Sequence, residues 1–61
     1  MHMYFQDIVI GSKWISKRDN KEVTVVNKLA NQDVTIRGTD GKRRDVDCED
    51  FQNTHTFKSN K

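Results

Sequence analysis

The sequence predicts a small all-β fold, a closed barrel of five short strands with a short 3-10 turn before the last strand. β-Branched residues occur in short runs that alternate with polar residues, which is the period of a half-buried strand. Turn-forming Gly, Asn and Asp residues separate these runs, and the chain contains no proline. Its 61 residues allow a single domain, residues 1–61, with a thin core.

The predicted strands cover residues 13–17, 22–29, 33–37, 44–48 and 55–58. The third strand alternates most cleanly, so we expect Val34 and Ile36 to face inward. After it, Asp40-Gly41 suits the positive φ angles of a type I′ hairpin turn. Short strands and tight turns favour a closed barrel, because closure removes exposed strand edges. An open antiparallel sheet packed in a dimer is the alternative.

The remaining segments have less regular patterns. Residues 1–10 are interpreted as an N-terminal extension or an extra strand, and residues 59–61 as a frayed tail. Residues 49–54 are few and polar, so we expect a single 3-10 turn that places Phe51 on the barrel mouth. In the last strand, Phe57 is expected to face inward.

Few side chains offer catalytic or metal-binding chemistry. Cys48 is the only cysteine, which excludes an intrachain disulfide, and neither a Cys-x-x-Cys nor a His-x-x-x-His spacing exists for zinc. Cys48 alternates in phase with Val46 and is expected to be buried, whereas His55 is expected to be exposed. No glycine-rich loop opens a helix to hold a phosphate. We therefore expect a non-enzymatic protein without a metal or cofactor.

The sequence shows no pattern of a membrane span or an export signal. The apolar run Ile8-Val9-Ile10 is far shorter than the about 20 residues that cross a bilayer. The first ten residues lack a basic region followed by a longer apolar one. Together with a lone thiol, these features predict a cytoplasmic protein that does not contact a membrane.

The charge of the chain is divided between two segments. Residues 13–44 contain nine basic and four acidic side chains, whereas residues 45–57 contain four acidic side chains and no Lys or Arg. In a small barrel the basic turns approach each other, and such a patch attracts phosphate or an acidic protein surface. Alternatively the charges only keep the protein soluble, with Arg43 or Arg44 paired to Asp45 or Asp47. The candidate basic residues are Lys17, Arg18, Arg37, Lys42, Arg43 and Arg44.

Two further pairs are candidates for partner binding. Asp45 and Asp47 share one outward strand face, where we expect solvated carboxylates rather than a cation site, because no further oxygen ligands surround them. Tyr4 and Phe5 either form an apolar anchor on a partner or cap the barrel. The sequence leaves both roles of this aromatic pair open.

Several of these residues carry a resemblance to a known class. The framework consists of Gly11-x-x-Trp14, Val23-Thr-Val25, Val34-x-Ile36, Gly41, Val46, Phe51 and Phe57. It resembles small uncharacterised phage and prophage proteins that open on Gly-x-x-Trp and end on two phenylalanines. The resemblance covers roughly residues 8 to 58 and implies an SH3-like barrel. Such barrels are similar to Tudor-like and KOW-like modules, which bind protein tails or nucleic acid.

The predicted function is binding. The resemblance and the divided charge lead us to expect a phage-type accessory protein that binds a larger bacterial host protein, with inhibition of that protein as one form of the function. The alternative is a small nucleic-acid-binding module that uses the basic residues on the phosphate backbone. The chain is expected to act as a monomer or a homodimer.

Overall fold

A computed structural model describes residues 3–61 of the chain. A 3-10 turn at Phe5–Asp7 precedes the first strand. The regular elements that follow are β1 (Lys13–Ser16), β2 (Glu22–Lys28), β3 (Asp33–Arg37), β4 (Arg43–Asp47), α1 (Cys48–Thr54) and β5 (His55–Ser59). The fold is therefore mostly β, and the five strands begin and end within a residue of the predicted bounds.

The five strands form one antiparallel sheet in the order β4-β3-β2-β1-β5. The prediction of a closed barrel is wrong, because β4 and β5 are edge strands with no ladder between them. The helix α1 connects these two edges and takes up the space where they would otherwise meet. The β4 edge carries charged side chains at Arg43, Arg44, Asp45 and Asp47, which discourage edge-to-edge pairing with other chains.

The core lies on the inner face of the sheet and follows the predicted alternation. Val34 and Ile36 are buried on β3, while their neighbours Thr35 and Arg37 lie on the outer face. A β-bulge near Val26 interrupts the β2–β3 register and bends the sheet around this core. The buried apolar residues are Ile8, Trp14, Val23, Val25, Val34, Ile36, Cys48 and Phe51.

Three rings in tilted contact link the sheet to α1. The ring of Phe51 lies 4.7 Å from that of Trp14 and 4.7 Å from that of His55. His55 is only 4% exposed, so the prediction of an exposed histidine is wrong. Phe57 meets the Trp14 ring edge-on at 5.4 Å but is 39% exposed, because β5 is an edge strand with open space beside it. Phe57 therefore points toward the core as predicted, but it is less buried than an inward core residue would be.

The segment after β4 is a seven-residue α-helix, so the prediction of a 3-10 turn there is wrong. The carboxylate of Asp47 accepts hydrogen bonds from the backbone N–H groups of Glu49 (3.1 Å) and Asp50 (3.3 Å), which caps the first turn. Burial of Phe51 and Cys48 on one side then stabilises a helix too short to persist alone. Phe51 is buried against Trp14 in the core and does not cover a barrel mouth, because the sheet is open.

The hairpin turns use residues at positive φ. Gly41 has φ of +82° and Asp40 does not have a positive φ, so the predicted type I′ turn is wrong. Instead, Gly41 N–H donates to the carbonyl of Gly38, and Gly38 N–H donates to that of Lys42, as in a three-residue loop. Asn20 and Gln32 hold the corresponding left-handed positions in the two earlier hairpins.

Residues 3–10 pack across one end of the sheet and contain no strand. Ile8 enters the core, and the Gln52 side-chain amide donates to the Met3 carbonyl at 2.8 Å, which ties this segment to α1. At the other end, Ser59 completes β5 opposite Lys13. No helix within residues 3–61 combines the length and apolar character needed to cross a bilayer.

Replacing Asp47 with alanine tests the cap. We expect Asp47→Ala to lower the free energy of unfolding by about 1 kcal/mol, because two backbone N–H groups lose their acceptor. The measurement is urea unfolding followed by Trp14 fluorescence. Asp47→Asn is the matched control, and its free energy of unfolding should stay close to that of the parent, since an asparagine oxygen also caps a helix. Equal losses of unfolding free energy in the two variants would contradict the assignment of Asp47 as the cap of α1.

Candidate binding cleft

A cleft lies where the sheet fails to close. One hollow of about 590 Å³ opens between β4, α1 and the adjoining ends of β1 and β5. A second hollow of about 410 Å³ lies beside it, between the β1–β2 and β3–β4 hairpin turns. Four residues line both hollows, so they form one continuous cleft: Ser16, Arg18, Arg44 and His55.

The cleft brings together basic side chains from two separate hairpins. Lys17 and Arg18 come from the β1–β2 turn, and Lys42, Arg43 and Arg44 come from the start of β4 and the residue before it. Arg44 pairs with the buried Ile36 in the sheet register, which places it on the inner face beside the hollow. Lys17, Arg18, Lys42 and Arg44 therefore lie along one cleft, while Arg43 borders it from the outer face of the sheet, opposite Arg37.

Arg37 lies apart from the cleft, on the outer face of the sheet. On one side Arg37 is directly opposite Arg43 of β4. On the other side it is opposite Thr24 of β2, and Thr24 is in turn opposite Lys13 of β1. The outer face therefore has its own row of cations, Lys13, Arg37 and Arg43. The direct Arg37–Arg43 pair costs stability, because like charges opposite each other destabilise a sheet.

Four carboxylates of the described chain line the cleft, those of Asp19, Glu22, Asp40 and Asp50, and the first three accept hydrogen bonds from groups other than the arginines. Asp19 accepts from the backbone N–H of Lys21 at 3.2 Å, and this bond is the main reason why the pKa of Asp19 is lowered. Asp40 accepts from the backbone N–H of Lys42 at 2.9 Å. Glu22 pairs with Lys58 at 2.6 Å, and that hydrogen bond holds the pKa of Glu22 below its usual range.

The proposed pairing of Arg43 or Arg44 with Asp45 or Asp47 does not form. Asp45 accepts a hydrogen bond from the Thr35 hydroxyl at 2.6 Å, and Asp47 caps α1. Across residues 3–61, Glu22–Lys58 is the single ion pair. The basic cleft is thus lined by cations that no carboxylate of the described chain neutralises by direct contact.

Tyr4 and Phe5 have different environments. Phe5 is half-buried against the core, with the Lys28 ammonium 4.8 Å from its ring centre, so it covers one end of the sheet. Tyr4 is 77% exposed and lines a small hollow with Gln32 and Glu49, away from the basic cleft. The structure therefore places Phe5 as a cap and leaves Tyr4 available for contact.

His55 is the residue of the cleft that sequence reasoning missed. Its Nδ1 lies 3.2 Å from the Phe51 carbonyl oxygen and 2.9 Å from the Thr54 hydroxyl. Since a carbonyl oxygen only accepts, Nδ1 carries the proton in the neutral ring and Nε2 presents a lone pair. Nε2 is buried and has no partner within the described chain.

The environment of His55 disfavours its charged form. Burial of the ring is the largest cause of its lowered pKa, and the positive charge of Arg44 acts in the same direction. The Phe51 carbonyl and Asp19 act in the opposite direction and do not offset the burial. His55 is therefore neutral at pH 7.

The structure does not join the two residues considered for nucleophilic chemistry. Cys48 is buried, and its sulfur accepts from the Gln52 amide at 3.4 Å, while the His55 ring bonds to the end of α1. Within residues 3–61, no three His, Cys, Asp or Glu side chains are grouped to hold a metal ion.

No protein-family model, no curated protein and no solved structure shows a significant match to this chain.

The buried His55 predicts a pH dependence of stability. In the unfolded chain it binds a proton near pH 6.5, whereas in the folded chain it does so only at lower pH. The free energy of unfolding should therefore fall as the pH drops below 6.5, by no more than about 1.4 kcal/mol per pH unit for one proton. Urea unfolding at closely spaced pH values measures it.

His55→Gln is the control for this experiment, because glutamine does not titrate. The difference in unfolding free energy between parent and variant should shrink as the pH falls from 7.5 through 6.5. If the difference in unfolding free energy is constant over this range, His55 binds its proton at the same pH in the folded and the unfolded chain, and the prediction is wrong.

Proposed function

We propose that this chain is a non-enzymatic binding module whose basic cleft docks on an acidic region of a larger protein. The observation that carries the proposal is the convergence of cations from two hairpins on one cleft without carboxylate partners. Such charges repel one another, and an acidic partner relieves that repulsion when it binds. They also speed the encounter with a negatively charged surface.

The mixed character of the cleft favours a protein partner over a nucleic acid. Asp19, Glu22 and Asp40 lie among the cations, which suits the alternating charges of a protein surface better than a continuous phosphate backbone. The exposed aromatic rings of Tyr4 and Phe57 do not line the cleft, so they offer no platform there for stacked bases.

We also infer that the sheet is an opened form of the SH3-like barrel and that the chain is a phage-type accessory protein acting on a bacterial host protein. Five short antiparallel strands, tight hairpins and a helical segment before the last strand support the fold inference. The single buried thiol, Cys48, suits the reducing bacterial cytoplasm in which such a protein would act. Inhibition is the form of action that a small module achieves by occupying a partner's surface.

Charge reversal at the cleft tests the protein-binding proposal. A tagged chain should capture one stoichiometric protein from a bacterial lysate, and Arg44→Glu should weaken that capture by about tenfold or more, equivalent to about 1.4 kcal/mol. Lys61→Glu makes the same charge change at an exposed position away from the cleft and should leave capture within about twofold. Equal capture by Arg44→Glu and the parent would exclude the cleft as the contact.

A specific observation supports nucleic acid as the second candidate. Lys13, Arg37 and Arg43 lie in one cross-strand row on the outer face, which suits a phosphate backbone. Gel-shift binding to duplex DNA, single-stranded DNA and RNA across a salt series measures this. Binding at low salt that falls steeply as salt rises would favour it, whereas absence of binding at low salt would remove it.

A further inference from the structure

His55 is a lining residue of both hollows that form the cleft. The His55 ring packs on Phe51 and is held by the bond from Nδ1 to the Phe51 carbonyl, so turning Nδ1 toward the cleft would break that bond. Nε2 is left buried and unpartnered in a residue that lines both hollows. A buried polar atom without a partner is unfavourable, and a bound ligand removes that cost.

We infer that His55 is the proton-coupled contact for a partner carboxylate: Nε2 takes up a proton as the carboxylate binds and donates it in a hydrogen bond to a carboxylate oxygen. This inference rests on the proposed function and adds a specific contact to it. The proton comes from solvent, and no covalent bond forms or breaks. Arg18 and Arg44, which line the same hollows, supply the charge that attracts the carboxylate.

The charges around His55 explain why proton uptake accompanies binding. Arg44 on β4 opposes protonation of His55, and Asp19 in the β1–β2 turn favours it. Arg18, Glu22 and Asp50 also line the hollows, from the β1–β2 turn, β2 and α1. A bound carboxylate adds a negative charge beside Nε2 and offsets the effect of Arg44. Binding therefore raises the pKa of His55.

By linkage, protonation of His55 must strengthen carboxylate binding to the same extent. The affinity should rise as the pH falls, by up to about tenfold per pH unit, between the pKa of His55 in the complex and its pKa in the free chain. Above the pKa that His55 has in the complex, the affinity for the carboxylate should no longer change with pH through His55. This pH dependence is the effect that a histidine contact produces, because histidine is the side chain whose charge changes in this range.

The test is an NMR titration of the His55 ring nitrogens in a His2→Gln background, in which His55 is the only histidine. The probe is a capped hexaglutamate peptide, added to saturation as judged by backbone amide shifts. We expect the His55 midpoint to rise by at least half a pH unit. In Arg44→Glu the midpoint of the free chain should itself rise, because the opposing cation is gone, and the peptide should move it little.

Three outcomes overturn the inference. A peptide that shifts the amides of the cleft and leaves the His55 midpoint unchanged would show carboxylate binding without His55, so the proposed function would survive alone. A midpoint that moves with inorganic phosphate and not with the peptide would assign the site to phosphate. Absence of any peptide binding, together with absence of a captured protein, would remove both the inference and the proposed function.

A His55→Gln variant gives an independent check by isothermal titration with the same peptide. The glutamine amide can donate a hydrogen bond at every pH, so the variant should bind the peptide with the same affinity at pH 5.5 and pH 7.5. The parent chain should bind the peptide more tightly at pH 5.5 than at pH 7.5. If this variant does not fold, the titration of His55 in the His2→Gln background still decides the question. Equal pH dependence in parent and variant would contradict the inference.

Discussion

The packing of the Trp14, Phe51 and His55 rings against one another is the interaction on which the rest of the structure depends. It joins β1, α1 and β5 through two ring contacts of 4.7 Å, and Phe51 at its centre is fully buried. The indole N–H of Trp14 donates to the buried Ser12 hydroxyl at 3.0 Å, which fixes the orientation of the first ring. In a thin core, burial of the large apolar rings of Trp14 and Phe51 helps to hold the helix on the sheet.

The position of α1 in turn determines the cleft. The helix connects the two edge strands, and its last turn supplies the acceptors that hold the His55 ring. The Lys17 backbone N–H donates to the Thr54 carbonyl at 2.9 Å, so the end of β1 is attached to the same turn. The gap in the sheet, the cations along it and the buried imidazole that lines it thus follow from one packing arrangement.

Part of this fold can be predicted from the sequence, and the reasons are local. Val34 and Ile36 were identified because strand alternation is a property of neighbouring residues. The helix was missed because its stability comes from the Asp47 cap and from burial of Phe51, which composition does not reveal. His55 was misplaced for a related reason, since its burial depends on a helix that the sequence pattern did not predict. A capping aspartate followed two residues later by an acidic pair was the signal available.

For the candidate site, the basic residues can be identified from the sequence, but whether they form ion pairs with nearby carboxylates cannot. Arg43 lies opposite Arg37 because of the β3–β4 register, which depends on the hairpin turn rather than on charge. That register leaves Asp45 opposite Thr35 and directs Asp47 to the helix. The carboxylates nearest in sequence to the arginines are therefore engaged elsewhere, and the cleft keeps its positive charge.

The most direct test of this account is a nuclear Overhauser measurement on the labelled protein at pH 7. The ring packing predicts cross-peaks between the Trp14 indole and the Phe51 ring, and between the Phe51 ring and the His55 ring. It also predicts ring-nitrogen shifts of a neutral His55 with the proton on Nδ1. Absence of both sets of cross-peaks, with His55 shifts of a solvent-exposed ring, would contradict the packing on which the cleft and its proposed function depend.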